Sequence, residues 1–289
     1  MTWRTIFIKS KAKLSYKNDY LVVRNEEIHM IHLSEINTVI IDSTAVTITS
    51  YLISEMLSRK IKLIFCDDKR NPQGEVVPYY GCHDSSKKIH EQLKWDEYVS
   101  VVWTRIIKEK IINQSKLLQY YENDNYKKLE LYAGQLLVND ITNREGHAAK
   151  VYFNSLFGLG FNREDVSDIN ASLNYGYAII LSQFNKEIVA SGYLTQLGIK
   201  HSNYFNFFNL SSDLMEPFRP LIDKIVKDNY GNVFDITMKL NLIDVLNKKV
   251  RIKNREQYVS NAIGIYVKSV INAIQKRNIE LLDFFDYEL

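Results

Sequence analysis

Three residues far apart in the chain, Glu145, His201 and Glu216, are of the types that hold a hard divalent cation. Glu145 lies in Asn143-Arg144-Glu145-Gly146-His147-Ala148-Ala149-Lys150-Val151-Tyr152-Phe153. On a helix it shares a face with Ala148, Ala149, Tyr152 and Leu156, which sets a carboxylate on the stripe that should be buried. Such a group is costly unless it is paired, protonated or bound to a metal. Glu145 is therefore either half of a structural salt bridge, with Arg144 or Lys150 as partner, or a ligand. His201 closes Gly198-Ile199-Lys200-His201, ahead of Ser211-Ser212-Asp213-Leu214-Met215-Glu216-Pro217-Phe218-Arg219-Pro220. Asp213 and Glu216 stand three apart and point the same way on a helical turn, with Pro217 tolerated near a helix start. Acids in a first turn also compensate the helix dipole, which leaves the aromatic run from Tyr204 to Phe208 unexplained. Two carboxylates and one imidazole suit Mg²⁺ or Mn²⁺, and the lack of thiolates argues against structural zinc. Such a site polarises a phosphoryl oxygen and orients an attacking hydroxyl. Spacing by itself leaves open both this site and three unrelated residues.

Positioning these groups requires particular elements, and the chain divides into two halves of different period. Short strands fill the first 80 or so residues: Thr5–Ile8, a hairpin of Leu14–Tyr16 and Tyr20–Val23, Ile28–His32, Thr38–Ile41, Lys62–Cys66 and an extended piece at Glu75–Val77. Val46 to Arg59 reads as one helix. From Ser85 the apolar spacing turns helical, first from Ile89 to Leu118 and then over roughly 126–139, 143–157, 167–190, 211–228, 234–247 and 254–276. The expected fold is α+β, a small β-rich domain over 1–84 followed by a larger all-α domain over 85–289.

Composition bounds the class. Of 289 residues 46% are hydrophobic, and four prolines and eleven glycines are few enough to favour long helices. The N-terminus lacks the pattern of a signal peptide, and no run approaches the ~20 apolar residues that span a bilayer. Cys66 and Cys82 cannot build a disulfide framework. A cytoplasmic protein with no membrane partner is expected. Thirty-seven Lys and Arg against 34 Asp and Glu leave +3, which taken alone argues against a dedicated nucleic-acid binder.

Several ordered motifs change that reading. The run Asn143 to Phe153, Phe161-Asn162-Arg163-Glu164-Asp165, Leu173-Asn174-Tyr175-Gly176-Tyr177, Leu197 to His201 and Asp213 to Pro220 together resemble the CRISPR spacer-acquisition integrases. That family is the large catalytic subunit of the adaptation complex, and the uninterrupted form here resembles its type II-A branch. The resemblance implies that Glu145, His201 and Glu216 hold Mg²⁺ or Mn²⁺ and are catalytic, with Asp213 assisting from behind. Many members carry aspartate where Glu216 stands. It further implies a homodimer formed by the β-domain. Two such dimers would flank a dimer of a smaller CRISPR-associated bridging subunit, a 4:2 complex on double-stranded DNA.

The implied reaction is transesterification. The 3′-hydroxyl of a captured fragment attacks a phosphodiester at the border of the CRISPR repeat and releases a 3′-hydroxyl there. No nucleotide energy source is needed, in keeping with the lack of a Gly-x-x-x-x-Gly-Lys-[Ser/Thr] loop. Phosphate contacts need local positive charge. Arg144, Lys150, Arg163 and Arg219 lie within the motifs. Lys248, Lys249, Arg251 and Lys253 form the densest basic cluster, and the helix with Arg105, Lys108 and Lys110 is a further candidate. Tyr152 and Tyr175 either stack on DNA or lie in the core. A metal-dependent structure-specific DNA nuclease and a non-enzymatic DNA-binding scaffold are the alternative functions.

Overall fold

The computed structural model describes residues 4–78 and 82–286. Its strands are β1 (Arg4–Ile8), β2 (Ala12–Lys17), β3 (Tyr20–Arg24), β4 (Ile28–His32), β5 (Ile36–Ile41), β6 (Val46–Ile48), β7 (Lys62–Cys66), β8 (Pro72–Val76), β9 (Lys249–Ile252) and β10 (Arg255–Tyr258). The helices are α1 (Ser50–Ser58), α2 (Ser85–Gln92), α3 (Tyr98–Tyr120), α4 (Tyr126–Gly134), α5 (Arg144–Phe157), α6 (Asp168–Ala190), α7 (Asn209–Leu214), α8 (Arg219–Asp228), α9 (Ile236–Ile243) and α10 (Val259–Lys276). A β-rich region over about 4–76 thus precedes a largely helical one. The boundary placed at residue 84 follows a segment whose residues 79–81 lie outside those described.

Two four-stranded sheets, ordered β1-β5-β7-β8 and β4-β3-β2-β6, face each other. β1, β5 and β7 are parallel, and β5 (INTVII) is buried at all six positions, as a central parallel strand covered on both faces should be. Its alternation divides the core. Val39 and Ile41 point at Leu14, Leu21 and Met56 between the sheets, while Ile40, with Ile64 and Cys66 of β7, joins the helical core. The first sheet therefore belongs to both halves.

Several helical expectations are too long, and the stretch from Ile89 to Leu118 is broken between Gln92 and Tyr98. Val46–Ile48 is strand, as β-branched residues favour, and Thr49 caps α1 by accepting from the Leu52 amide at 3.4 Å. The stretch read as helix from 254 opens with β10, because Lys253 and Asn254 take left-handed φ of 51° and 59° and turn a hairpin. Over 211–228, α7 ends at Leu214 and a single 3-10 turn, Glu216–Phe218, precedes α8. Over 126–139, α4 stops at Gly134.

α3 and α6, each 23 residues long, form the centre of the helical region. A Cβ on Gly176 of α6 would sit 2.6 Å from Ile222 Cγ2, so only glycine lets α8 approach there. Beneath that crossing, Asp223 is fully buried and accepts from the hydroxyls of Tyr152, at 2.8 Å, and Tyr177. Burial pushes its carboxyl up to about 6, outweighing both hydroxyls and the Arg219 and Arg163 charges.

A carboxyl raised by folding favours the folded state while protonated. That contribution is complete below the unfolded value near 4 and is lost as pH rises through about 6. In Asp223→Asn the loss is absent, so the variant gains on the parent by roughly 3 kcal/mol between pH ~4 and ~6 and by nothing further above. Denaturant unfolding of both proteins across that range tests this, and a difference independent of pH would contradict it.

Candidate active site

The loop before α5 sets Glu145. Asn139, Asp140 and Asn143 all take left-handed φ, of 65°, 49° and 52°, a region that Asn and Asp tolerate better than most residues. The folded-back turn lets Asp140 grip the open helix end: Oδ1 accepts from the Arg144 amide at 2.7 Å and Oδ2 from the Glu145 amide at 2.9 Å. Glu145 lies one residue inside the helix, its backbone held and its carboxylate turned toward α3.

His201 rests on a loop wrapped around one carboxylate. Asp213, fully buried on α7, accepts at Oδ2 from the amides of Ile199 (2.8 Å) and Lys200 (2.9 Å), while the His201 amide reaches its Oδ1 at 3.2 Å. The His201 imidazole also binds Asp213 Oδ1 through Nδ1. A Cβ on Gly198 would meet His201 O at 2.4 Å and Asp213 Oδ2 at 2.7 Å, so the loop closes this tightly only without one. Gln92 of α2 anchors its approach through Leu194 and Leu197, and Trp103 of α3 meets the imidazole edge-on at 6.0 Å. Lys200 Nζ donates to Asn139 Oδ1 at 2.8 Å, tying the His201 loop to the one that sets Glu145.

Glu216 begins the 3-10 turn and is 4% exposed. Its Oε1 accepts from Arg219 Nε at 2.9 Å, and its Oε2 lies 2.6 Å from Lys110 Nζ without the alignment of a hydrogen bond. Lys110 Nζ also donates to Glu145 Oε1 at 2.7 Å. One buried ammonium on α3 therefore joins the two glutamates that the sequence sets 71 positions apart. Asn113, a turn further along α3, donates to Pro217 O at 3.0 Å and fastens that helix to the Glu216 turn.

Charge decides the protonation of this cluster. Burial alone would raise Glu216, but the Arg219 and Lys110 cations outweigh it and hold the carboxyl at about 2. Burial opposes the Lys110 ammonium as well, and the Glu216 and Glu145 charges more than restore it. The hydrogen bond to Asp213 raises the His201 imidazole against partial burial.

Among the described residues no three of His, Cys, Asp and Glu stand ready around one metal position; the cation that Glu145 and Glu216 share here is Lys110. The donors nevertheless fit a hard divalent ion. Glu216 Oε2 is a buried carboxylate oxygen lacking an aligned hydrogen bond. Asp213 fixes Nδ1 of His201 and leaves Nε2 as the ring nitrogen for a ligand, the usual carboxylate–histidine–metal arrangement.

The other expected residues divide. Lys150 is exposed on α5, while the Arg144 guanidinium lies 5.8 Å from the Tyr132 ring centroid. Arg163 is tied to Asn170 and Asn174, and Arg219 to Glu216 with its guanidinium 4.5 Å over Tyr177. Lys248, Lys249 and Lys253 pair with Asp244, Glu256 and Asp283 at 3.4, 2.7 and 2.9 Å, so the basic cluster is largely neutralised where it stands. Arg251 is on β9, its backbone bridged to Asp286. Tyr152 and Tyr175 are core residues.

The sequence offers Lys110 only as one of three helix cations for phosphates. The available signal was its place three and four residues after Ile107 and Ile106, on the apolar stripe of α3.

Residues 6–231 match the family model described as CRISPR associated protein Cas1. The chain is 33% identical to the CRISPR-associated endonuclease Cas1 of Neisseria meningitidis serogroup C over 98% of its own length and 95% of that protein's. Its fold matches a casposase bound to integration product with TM-score 0.74 at 18% identity, over 96% of this chain and 92% of that one. It also matches a chain of a Cas6-RT-Cas1–Cas2 complex with TM-score 0.73 at 18% identity, over 96% of this chain and 36% of the other.

Proposed function

The chain belongs to the Cas1 family of CRISPR-associated proteins, and on that premise we propose that it is a metal-dependent DNA integrase of CRISPR adaptation, joining captured fragments to the repeat by 3′-hydroxyl transesterification. The observation that carries this reading is the meeting of Glu145 and Glu216 about a shared cation, beside an imidazole fixed by Asp213. Glu145, Glu216 and Nε2 of His201 would hold the ion. A bound Mg²⁺ or Mn²⁺ supplies charge stabilisation at the phosphoryl group and lowers the pKa of the attacking hydroxyl. Asp213 keeps the imidazole oriented, and the Lys200–Asn139 bond keeps the two ligand-bearing loops in register. Lys150, exposed on the Glu145 helix, is the best placed of the motif cations for DNA phosphate. Likeness to a casposase holding an integration product supports joining over hydrolysis alone.

The partner reading draws on the Cas1–Cas2 neighbour: a small Cas2-type subunit would bridge two dimers in a 4:2 complex on DNA. β4 supports a homodimer through the β-region, because it is a sheet edge with Ile28 65% and Met30 49% exposed. Ile28→Glu should shift the protein toward monomer in light scattering, and an unchanged mass would move the interface elsewhere. No helix among the described residues is long and apolar enough to cross a membrane, and we place the protein in the cytoplasm. The unbroken motif run supports a type II-A-like assignment.

The test combines labelled duplexes bearing 3′-hydroxyl ends, a repeat-bearing supercoiled plasmid, the Cas2-type subunit and Mn²⁺. Joined product is expected, lost with 3′-phosphate ends and lost in Glu145→Ala and His201→Ala. Cleavage without joining would mark a nuclease instead, and full joining by both variants would overturn the site.

A further inference from the structure

We propose that Lys110 is the resident counter-cation of the metal site, occupying the place between Glu145 and Glu216 until a divalent ion replaces it, and that metal uptake is an exchange in which the ammonium leaves this position. This inference rests on the metal-site reading above.

The observations come from the position of one side chain. Lys110 Nζ lies 2.7 Å from Glu145 Oε1 and 2.6 Å from Glu216 Oε2, on a side chain 11% exposed. These two carboxylates are its recorded ionic partners among the described residues. Both Glu216 oxygens face a cation, one Arg219 and the other Lys110, so a metal drawing on either oxygen competes with the cation already there. Arg219 is the harder to move, since its guanidinium rests 4.5 Å over the Tyr177 ring, whose hydroxyl is held by buried Asp223. Among the described residues no ring lies under the Lys110 ammonium, and its four-carbon stem lets the head move while α3 stays fixed through Asn113 and Pro217. A divalent ion and an ammonium cannot share one pair of carboxylates at contact distance without strong repulsion. Without a metal, Lys110 keeps the two glutamates from repelling one another and from collecting stray cations.

The test measures metal binding rather than turnover. Isothermal titration of Mn²⁺ into the intact, DNA-free protein should show Lys110→Met binding about ten-fold or more tighter than the parent, because no cation has to leave. Lys110→Arg should bind no tighter than the parent. Because Lys110→Met leaves two carboxylates facing each other, a strain on folding, the parent protein supplies an independent measurement. Acetylation by a water-soluble amine reagent, read by mass spectrometry, should be slow at Lys110 without metal. It should quicken about five-fold or more on saturation with Mg²⁺, with Lys150 unchanged as the internal standard. Equal Mn²⁺ affinity in parent and Lys110→Met, or Lys110 labelling indifferent to Mg²⁺ that demonstrably binds, overturns the exchange while leaving the metal site intact. Absence of Mn²⁺ binding in every protein overturns both.

Discussion

Glu216→Ala should reduce strand joining by roughly 10³-fold, toward the upper end of what removal of one charged transition-state contact costs. It should also destabilise the fold by about 3 kcal/mol, because Arg219 loses its ionic partner and Lys110 keeps only Glu145. The two effects can be separated. Glu216→Gln keeps the volume and an oxygen for Arg219, so most of the stability should return while joining stays near the alanine level, since a neutral amide is a poor ligand for a hard cation. Joining assays run beside denaturant unfolding on the two variants decide the matter. A glutamine variant that joins at the parental rate would remove Glu216 from the chemistry and leave it a structural ion-pair residue.

Asp213→Ala should be nearly as severe for a different reason. The carboxylate is fully buried and receives three backbone amides and the imidazole. Its removal leaves several buried donors without an acceptor, at ~1–3 kcal/mol each before the loop relaxes. A net loss of about 3–5 kcal/mol follows, with joining down about 10²-fold in whatever protein remains folded, the scale on which partners behind a metal ligand act. Asparagine should rescue only part, because its amide nitrogen would face other N–H groups. Gly198→Ala should reproduce the joining defect while every ionisable group is kept, since the new Cβ collides with the carbonyl of His201 and with the Asp213 carboxylate. Were Asp213→Ala to match the parent in both unfolding midpoint and joining, the positioning role would be wrong.

Much of this could be read along the chain, and what could not has a common cause. The change from period two to period three and a half near residue 80 was plain, as was the first hairpin, whose Asn18 and Asp19 take the left-handed turn that their types favour. Glu145, His201, Asp213 and Glu216 stood out because their types and their ordered motifs agreed. The breaks at Thr49 and between Leu214 and Arg219 were hidden, since apolar spacing continues through them and only caps and 3-10 geometry interrupt it. The burial of Lys110 is not legible in the sequence, because a lysine inside a helix resembles any surface cation until its face is known. The partners of the cluster from Lys248 to Lys253 are hidden too, because Asp244, Glu256 and Asp283 are spread along the chain and only the fold brings them to these lysines.

The C-terminal segment carries a consequence for how the molecule comes into being. Phe285 lies 4.3 Å, ring centroid to centroid, from Phe218, which directly follows Glu216 and Pro217, and Asp286 bridges to Arg251 while pairing with Lys116 of α3. A chain emerging from the ribosome makes Glu145, His201 and Glu216 long before it makes the ring that covers their supporting turn. The β-region can bury its core early, whereas the glutamate cluster stays unroofed until residue 285 is synthesised. A chain that stops short of residue 285 therefore has every candidate ligand and an unfinished site.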